Sequence, residues 1–248
     1  MHLDVQDLKN FYWGQPLGRV VKEALRKEVL TFWPDLTGRT LVGYGFAVPL
    51  LRPYLKQARR IIALMPGPQG VMSWPAAGDN MTVLVDEAFW PLETGHVDRL
   101  IILHGLETGE DANSVLEEAI RVLGPGGRAI FIVPNRAGFW SRSEKTPMGF
   151  GRPYTISQLE TQLRLHGFCP ERIGTALYQW PSLKAGWQRL GPFFERIGRN
   201  LPAFAGGVLL VEASKKNQLL PSNKYKSPSK QTLGVLGGIR SGKTKPAM

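Results

Sequence analysis

The sequence predicts a three-layer α/β fold, in which a mostly parallel sheet is covered by helices on both faces. Three observations lead there. After Arg39, short apolar runs alternate with helical or turn segments. The runs are apolar throughout rather than at every second residue, as strands buried on both faces require. Several of them stop at Gly, Pro or Asn, where the chain must turn. With 248 residues, 43% of them hydrophobic and 21% charged, the chain has enough apolar material for one sizeable core.

Two amphipathic helices come first. A short one is expected over about residues 4–12. A longer one spans 15–33, where Leu17, Val21, Leu25 and Val29 recur at helical spacing and Arg19, Lys22, Arg26 and Lys27 take the other face. Pro34 and Gly38 end it. Strand one, Thr40-Leu41-Val42, runs into Gly43-Tyr44-Gly45-Phe46-Ala47 and a helix expected from Val48 to Gln57. Strand two covers 60–65 and stops at Pro66-Gly67-Pro68; strand three covers 81–85 and strand four 97–103. A helix over roughly 111–123 ends at Gly124-Pro125-Gly126-Gly127, and strand five follows over 128–133. A loop rich in Gly, Arg and aromatic residues fills 135–154, then a helix over 155–166 and two late strands, about 169–179 and 207–212. Parallel strands joined by right-handed crossovers place their carboxyl ends on one edge, where ligands bind.

The formal charge of +11 is unevenly distributed. Residues 215–248 carry eight Lys or Arg and no acid, leaving 23 of the 31 basic side chains against all 20 acidic ones in residues 1–214. Lys, Ser, Pro, Asn and Gly dominate that tail, which reads as disordered. It is either a solvated appendage or a weak contact for RNA, DNA or anionic lipid. The expected organisation is a helical cap over 1–36, a core domain over 37–214 and the basic tail over 215–248. One cysteine, Cys169, excludes an internal disulfide, and the four histidines lack metal-binding spacing. The N-terminus carries acid where a secretory signal has lysine and a greasy stretch, and no apolar run approaches the ~18–20 residues that cross a bilayer. The expected compartment is therefore the cytoplasm.

Two stretches carry a family likeness. Trp90-Pro91-Leu92-Glu93-Thr94-Gly95-His96-Val97-Asp98-Arg99 enters strand four, and Glu117-Glu118-Ala119-Ile120-Arg121-Val122-Leu123-Gly124-Pro125-Gly126-Gly127-Arg128 leads into strand five. Both resemble the class I S-adenosylmethionine (SAM) dependent methyltransferases, in particular a bacterial type 11-like group. The likeness spans about residues 36–214. It implies a Rossmann-like sheet of seven strands, SAM as cofactor, and methyl transfer by in-line displacement at the sulfonium carbon, with positioning and desolvation supplying most of the acceleration.

Carried over position by position, the resemblance implies that Gly43, Tyr44 and Gly45 cradle the amino-acid end of SAM. Met65 and Pro66, with the turn to Gln69, would face the ribose. Asp86 would face the adenine, Glu87 would be a further cofactor contact, and Leu103 would line the cofactor as a packing residue. The plainer readings are glycines making a tight strand-to-helix turn, and Asp86 as an exposed turn carboxylate or a helix cap. His104, with Gly105 beyond it, falls where the transferred methyl would lie, either as a base or orienting group or as a polar cap on the strand end. The loop residues Asn135, Trp140, Arg142, Arg152 and Tyr154 suggest an anionic or aromatic acceptor, the alternative being a structural lid whose arginines face water.

Two departures matter. The family's strand-one acid is Leu41 here, and the acid ending strand two is Met65. Both losses remove charge-assisted acceptors worth ~1.5–3 kcal/mol each. Gln69, Asp86 and Glu87 are the nearest substitutes. A second expectation is therefore a methyltransferase fold that binds or regulates without turnover, and a third is an RNA methyltransferase tethered by its tail. A nicotinamide site is disfavoured, because Val48 stands where a third glycine belongs and strand two lacks an acid. The tail segment Gly237-Gly238-Ile239-Arg240-Ser241-Gly242-Lys243-Thr244 matches a phosphate-loop pattern, but four residues remain after it, too few for the helix that chemistry needs.

Overall fold

In the computed structural model, which describes residues 3–181 and 205–216, the seven strands form one sheet in the order β3-β2-β1-β4-β5-β7-β6. They are β1 (Thr40–Gly45), β2 (Arg60–Pro66), β3 (Thr82–Val85), β4 (Val97–Leu103), β5 (Leu123–Pro134), β6 (Phe168–Ala176) and β7 (Val208–Lys215). Strands β1 to β5 pair in parallel, and β7 lies antiparallel between β5 and β6. The carboxyl ends of β1, β2 and β4 therefore share one rim, with Gly43 level with Ala63 on one side and Ile101 on the other.

Alternation along each strand divides the core into two layers. Leu41, Ala63, Met65, Ile101, Ile130 and Leu210 face the layer built by the N-terminal helices. Val42, Leu64, Leu100, Ile102, Phe131 and Val211 face the other. On the first face lie α1 (Val5–Lys9), a π-helical turn (Asn10–Gly14), α2 (Pro16–Phe32) and the short α3 (Val48–Leu51). Pro16 opens α2, where a missing N–H costs nothing. Gly18 lets α2 cross the π-turn closely, since a Cβ there would lie 1.8 Å from the Phe11 carbonyl oxygen. On the second face lie α4 (Ala112–Val122), capped by Asp111, and α5 (Ile156–Leu165), opened by a Thr155/Gln158 capping box.

The helix expected to Gln57 ends instead at Leu51 and tightens into a 3₁₀ turn over Arg52–Tyr54. Pro53 has no N–H to donate to the Pro49 carbonyl, and that oxygen accepts from Arg26 Nε at 2.8 Å. Strand β5 begins at Leu123, not 128, because Leu123 pairs with Val97 before the glycine-rich turn. The Glu118-x-x-Arg121 element acquires a structural role. Glu118 accepts the Trp90 N–H at 2.7 Å, while Arg121 donates to the Trp90 and Leu92 carbonyls and ion-pairs with Glu118. It pins the segment entering β4. Trp187, Phe193, Phe194 and the tail beyond Lys216, with its phosphate-loop-like segment, lie outside the described residues. Among the described residues no helix is long and apolar enough to cross a membrane, and no group of three or more His, Cys, Asp or Glu is placed to hold a metal.

Candidate functional site

The rim at the ends of β1 and β4 is drawn tight by backbone. Phe46 N–H donates to the Leu103 carbonyl at 2.7 Å. Gly45 has φ +72°, and a Cβ there would lie 2.3 Å from the Leu103 oxygen and 2.8 Å from that of His104. Glycine is required because two backbones meet, so its role here is packing. The space in front of Gly43 is likewise taken, by Leu51 and Ala47, and the space in front of Gly105 by the Tyr44 ring. Tyr44, Phe46, Met65, Leu103 and His104 are all 0% exposed.

Tyr12, from the π-turn, completes this closure. Its ring stacks on Phe46 at 5.8 Å, and its hydroxyl lies 2.7 Å from His104 Nε2. Burial, then the nearby Glu107 charge, push the Tyr12 phenol well above its ordinary pKa, so it stays protonated and donates to Nε2. Nδ1 is then the protonated nitrogen of His104 and donates to Glu107 Oε1 at 3.0 Å. Both ring nitrogens of His104, the base or orienting group expected from the sequence, are thus engaged inside the chain. His104 itself has φ +52°, a left-handed conformation unusual for a side chain with a Cβ.

Four polar atoms in this neighbourhood are buried without a hydrogen-bond partner among the described residues: Tyr44 Oη, Trp90 Nε1, Gln69 Oε1 and Glu107 Oε2. Gln69 does donate, through Nε2, to the His104 carbonyl at 2.8 Å. Tyr44 stacks on Trp90 at 4.6 Å, and burial, followed by Glu87 and Asp86, pushes its phenol up. Unpaired polar atoms of this kind cost on the order of 1–3 kcal/mol each. Their clustering marks the rim as more than a packed strand end.

The remaining expected site residues are placed as follows. Asp86 accepts the Ala88 N–H and caps a turn; Glu87 accepts the amides of Glu110 and Asp111. Pro66 is buried at the end of β2. In the loop after β5, Asn135 is spent on the Gly206 carbonyl and the Ala137 N–H. Trp140 is 1% exposed and donates to the Gln179 carbonyl, so its ring belongs to the core rather than to an open surface. Arg142 and Arg152 are exposed. Backbone bonds tie this loop to the rim, Arg152 N–H donating to the Glu107 carbonyl at 2.8 Å and Tyr154 N–H to that of Pro134 at 2.9 Å. The Tyr154 phenol is pushed up to about 12, by burial first and by Glu107 second, with Arg152 opposing. Sequence reasoning missed Tyr12 and Glu107. The latter had a signal in the spacing His104-Gly105-Leu106-Glu107.

No family model and no curated protein matches the sequence. Solved structures do match the fold. A SAM-dependent methyltransferase from Thermotoga maritima is 16% identical, covering 81% of this chain and 91% of its own, with a TM-score of 0.57. A SAM-dependent methyltransferase from Mesorhizobium loti is 14% identical, covering 75% and 95%, at 0.55. Geranyl diphosphate C-methyltransferase from Streptomyces coelicolor, solved with S-adenosyl-L-homocysteine, is 14% identical, covering 77% of each chain, at 0.50. The chain has the class I methyltransferase fold.

Proposed function

We propose that this protein is a SAM-dependent methyltransferase whose cofactor rim is held closed by its own N-terminal segment. The observation that supports the reaction class is the sheet. Its strand order, with β7 antiparallel, puts the Gly43-Tyr44-Gly45 turn beside the end of β4 in a fold shared with solved SAM-dependent methyltransferases, although a [4+2]-cyclase shares it too. As folded, however, the rim does not fit the cofactor. Phe46, Met65 and Tyr12 fill it, and Leu41 and Met65 offer no acceptors. Entry of SAM requires Tyr12 to leave Phe46 and His104. That movement would free His104 Nε2, which Tyr12 holds at 2.7 Å. The acceptor in this reading is an anionic or aromatic molecule meeting the exposed Arg142 and Arg152, with Tyr154 near Arg152.

A second reading is favoured by the same closure together with the two lost acids: a methyltransferase-fold protein that binds partners and transfers nothing. Calorimetric titration with S-adenosylhomocysteine separates the two. Tyr12→Ala is expected to bind at least about tenfold more tightly than the wild type, because the closed state competes with ligand in the latter. Tyr12→Phe keeps the plug and is expected to stay within about threefold of wild type. Binding by none of the three proteins at millimolar ligand, with melting curves showing them folded, ends the enzyme reading. An RNA-directed form would rest on the tail, outside the described residues.

A further inference from the structure

A cavity of about 490 Å³ opens between the π-turn, the 3₁₀ turn at Arg52–Tyr54 and the loop around residues 72–77. Its size is that of a small-molecule site. Trp13, Trp74, Met72 and Leu55 supply apolar walls, and Lys9 and Arg52 are the charged residues lining it. Both cations are exposed, and neither has an acidic partner among the described residues. A third cation stands nearby. Lys22 sits 6.0 Å from the centre of the Trp13 ring. Its ammonium is held below its ordinary pKa by burial and then by Arg26, with Arg52 and Arg19 adding to the effect. The acid opposing this, Glu23, is already engaged by Arg26 at 2.8 Å.

We propose that this cavity binds a small amphiphilic anion, its flat apolar body lying against Trp13 and Trp74 and its single carboxylate, sulfonate or phosphate meeting Lys9 and Arg52. A neutral body of the same shape satisfies the walls and leaves the cations unused; a cation is repelled. None of its lining residues is one that carries the methyltransferase reading, so the proposal does not depend on it. Trp13 also touches the rim, its ring edge-on to Phe46 at 5.7 Å.

The test uses two dyes that share one aromatic body, the anion 1-anilinonaphthalene-8-sulfonate and uncharged N-phenyl-1-naphthylamine, titrated into the full-length protein and read by dye emission. The wild type is expected to bind the sulfonate at least about tenfold more tightly than the neutral dye. The double variant Lys9→Glu/Arg52→Glu, both surface positions, is expected to lose at least about tenfold for the sulfonate and stay within about twofold for the neutral dye. Trp13→Ala is expected to weaken both. Equal affinity for the two dyes, sulfonate binding unchanged by charge reversal or by Trp13→Ala, or no sulfonate binding at millimolar dye would each overturn the proposal.

Discussion

Gly45→Ala is expected to cost about 3–5 kcal/mol, enough to unfold much of the protein at ordinary temperature. An alanine at φ +72° carries a left-handed penalty of roughly 1–2 kcal/mol. Its Cβ would also press on the carbonyl oxygens of Leu103 and His104 at 2.3 and 2.8 Å, and neither backbone group has room to yield. Gly38→Ala is the control. Gly38 has φ +74° with nothing within 4 Å, so only the conformational part applies, about 1 kcal/mol. Urea denaturation of both variants measures the difference. Equal losses would mean that β1 and β4 do not meet as closely as described, and the rim would then have room in front of its glycines.

Glu212→Ala is the second large effect. Glu212 sits on β7 opposite Ile130 with its side chain wholly buried. Oε1 accepts from Trp33 Nε1 at 2.7 Å and Arg128 Nη1 at 3.3 Å; Oε2 accepts from Arg172 Nε at 2.5 Å. Arg172 also donates to the Phe32 carbonyl, so one carboxylate joins β6, β7 and the end of α2. Its removal strands the Trp33 indole N–H and takes the carboxylate from Arg172, which keeps only the Phe32 carbonyl, while Arg128 falls back on Glu171 at 2.7 Å, a loss of about 2–3 kcal/mol. Acid should find the same weakness. Burial raises the Glu212 pKa, but the bonds from Arg172 and Trp33 and the Arg172 charge outweigh it, leaving the carboxyl below its ordinary value. A carboxyl lowered on folding stabilises fully above the unfolded pKa of about 4.3, and the contribution is lost as pH falls through the lower folded value. Denaturation midpoints of the wild type should therefore decline on the acid side, and Glu212→Gln should flatten that decline.

The fold was legible because the central strands are apolar over most of their length and the later helices carry their caps. Asp111 before α4 and Thr155 with Gln158 at α5 are local signals, and the elements follow within a residue or so. The error at residues 52–57 passed over a local stop signal: Pro53 has no N–H for the Pro49 carbonyl, which Arg26, far away in sequence, takes instead. Strand β5 was placed late because Gly124-Pro125-Gly126-Gly127 reads as a turn, which it makes inside a strand already paired at Leu123. The rim was legible in position and not in state. Leu41 and Met65 showed that the usual acids are missing. Nothing local to residue 12 shows that Tyr12 will cross to His104, a contact spanning 92 positions. Trp140 misled for a similar reason, since its partner Gln179 lies on the far side of the next helix.

Amide hydrogen exchange over residues 5–14, followed with and without millimolar S-adenosylhomocysteine, tests the closed rim most directly. Ligand that must displace Tyr12 to enter should accelerate exchange across α1 and the π-turn while slowing it at the ends of β1 and β4. Slowing at those strand ends with exchange over 5–14 unchanged or reduced would contradict the account, because the pocket would then be accessible with Tyr12 still seated on Phe46.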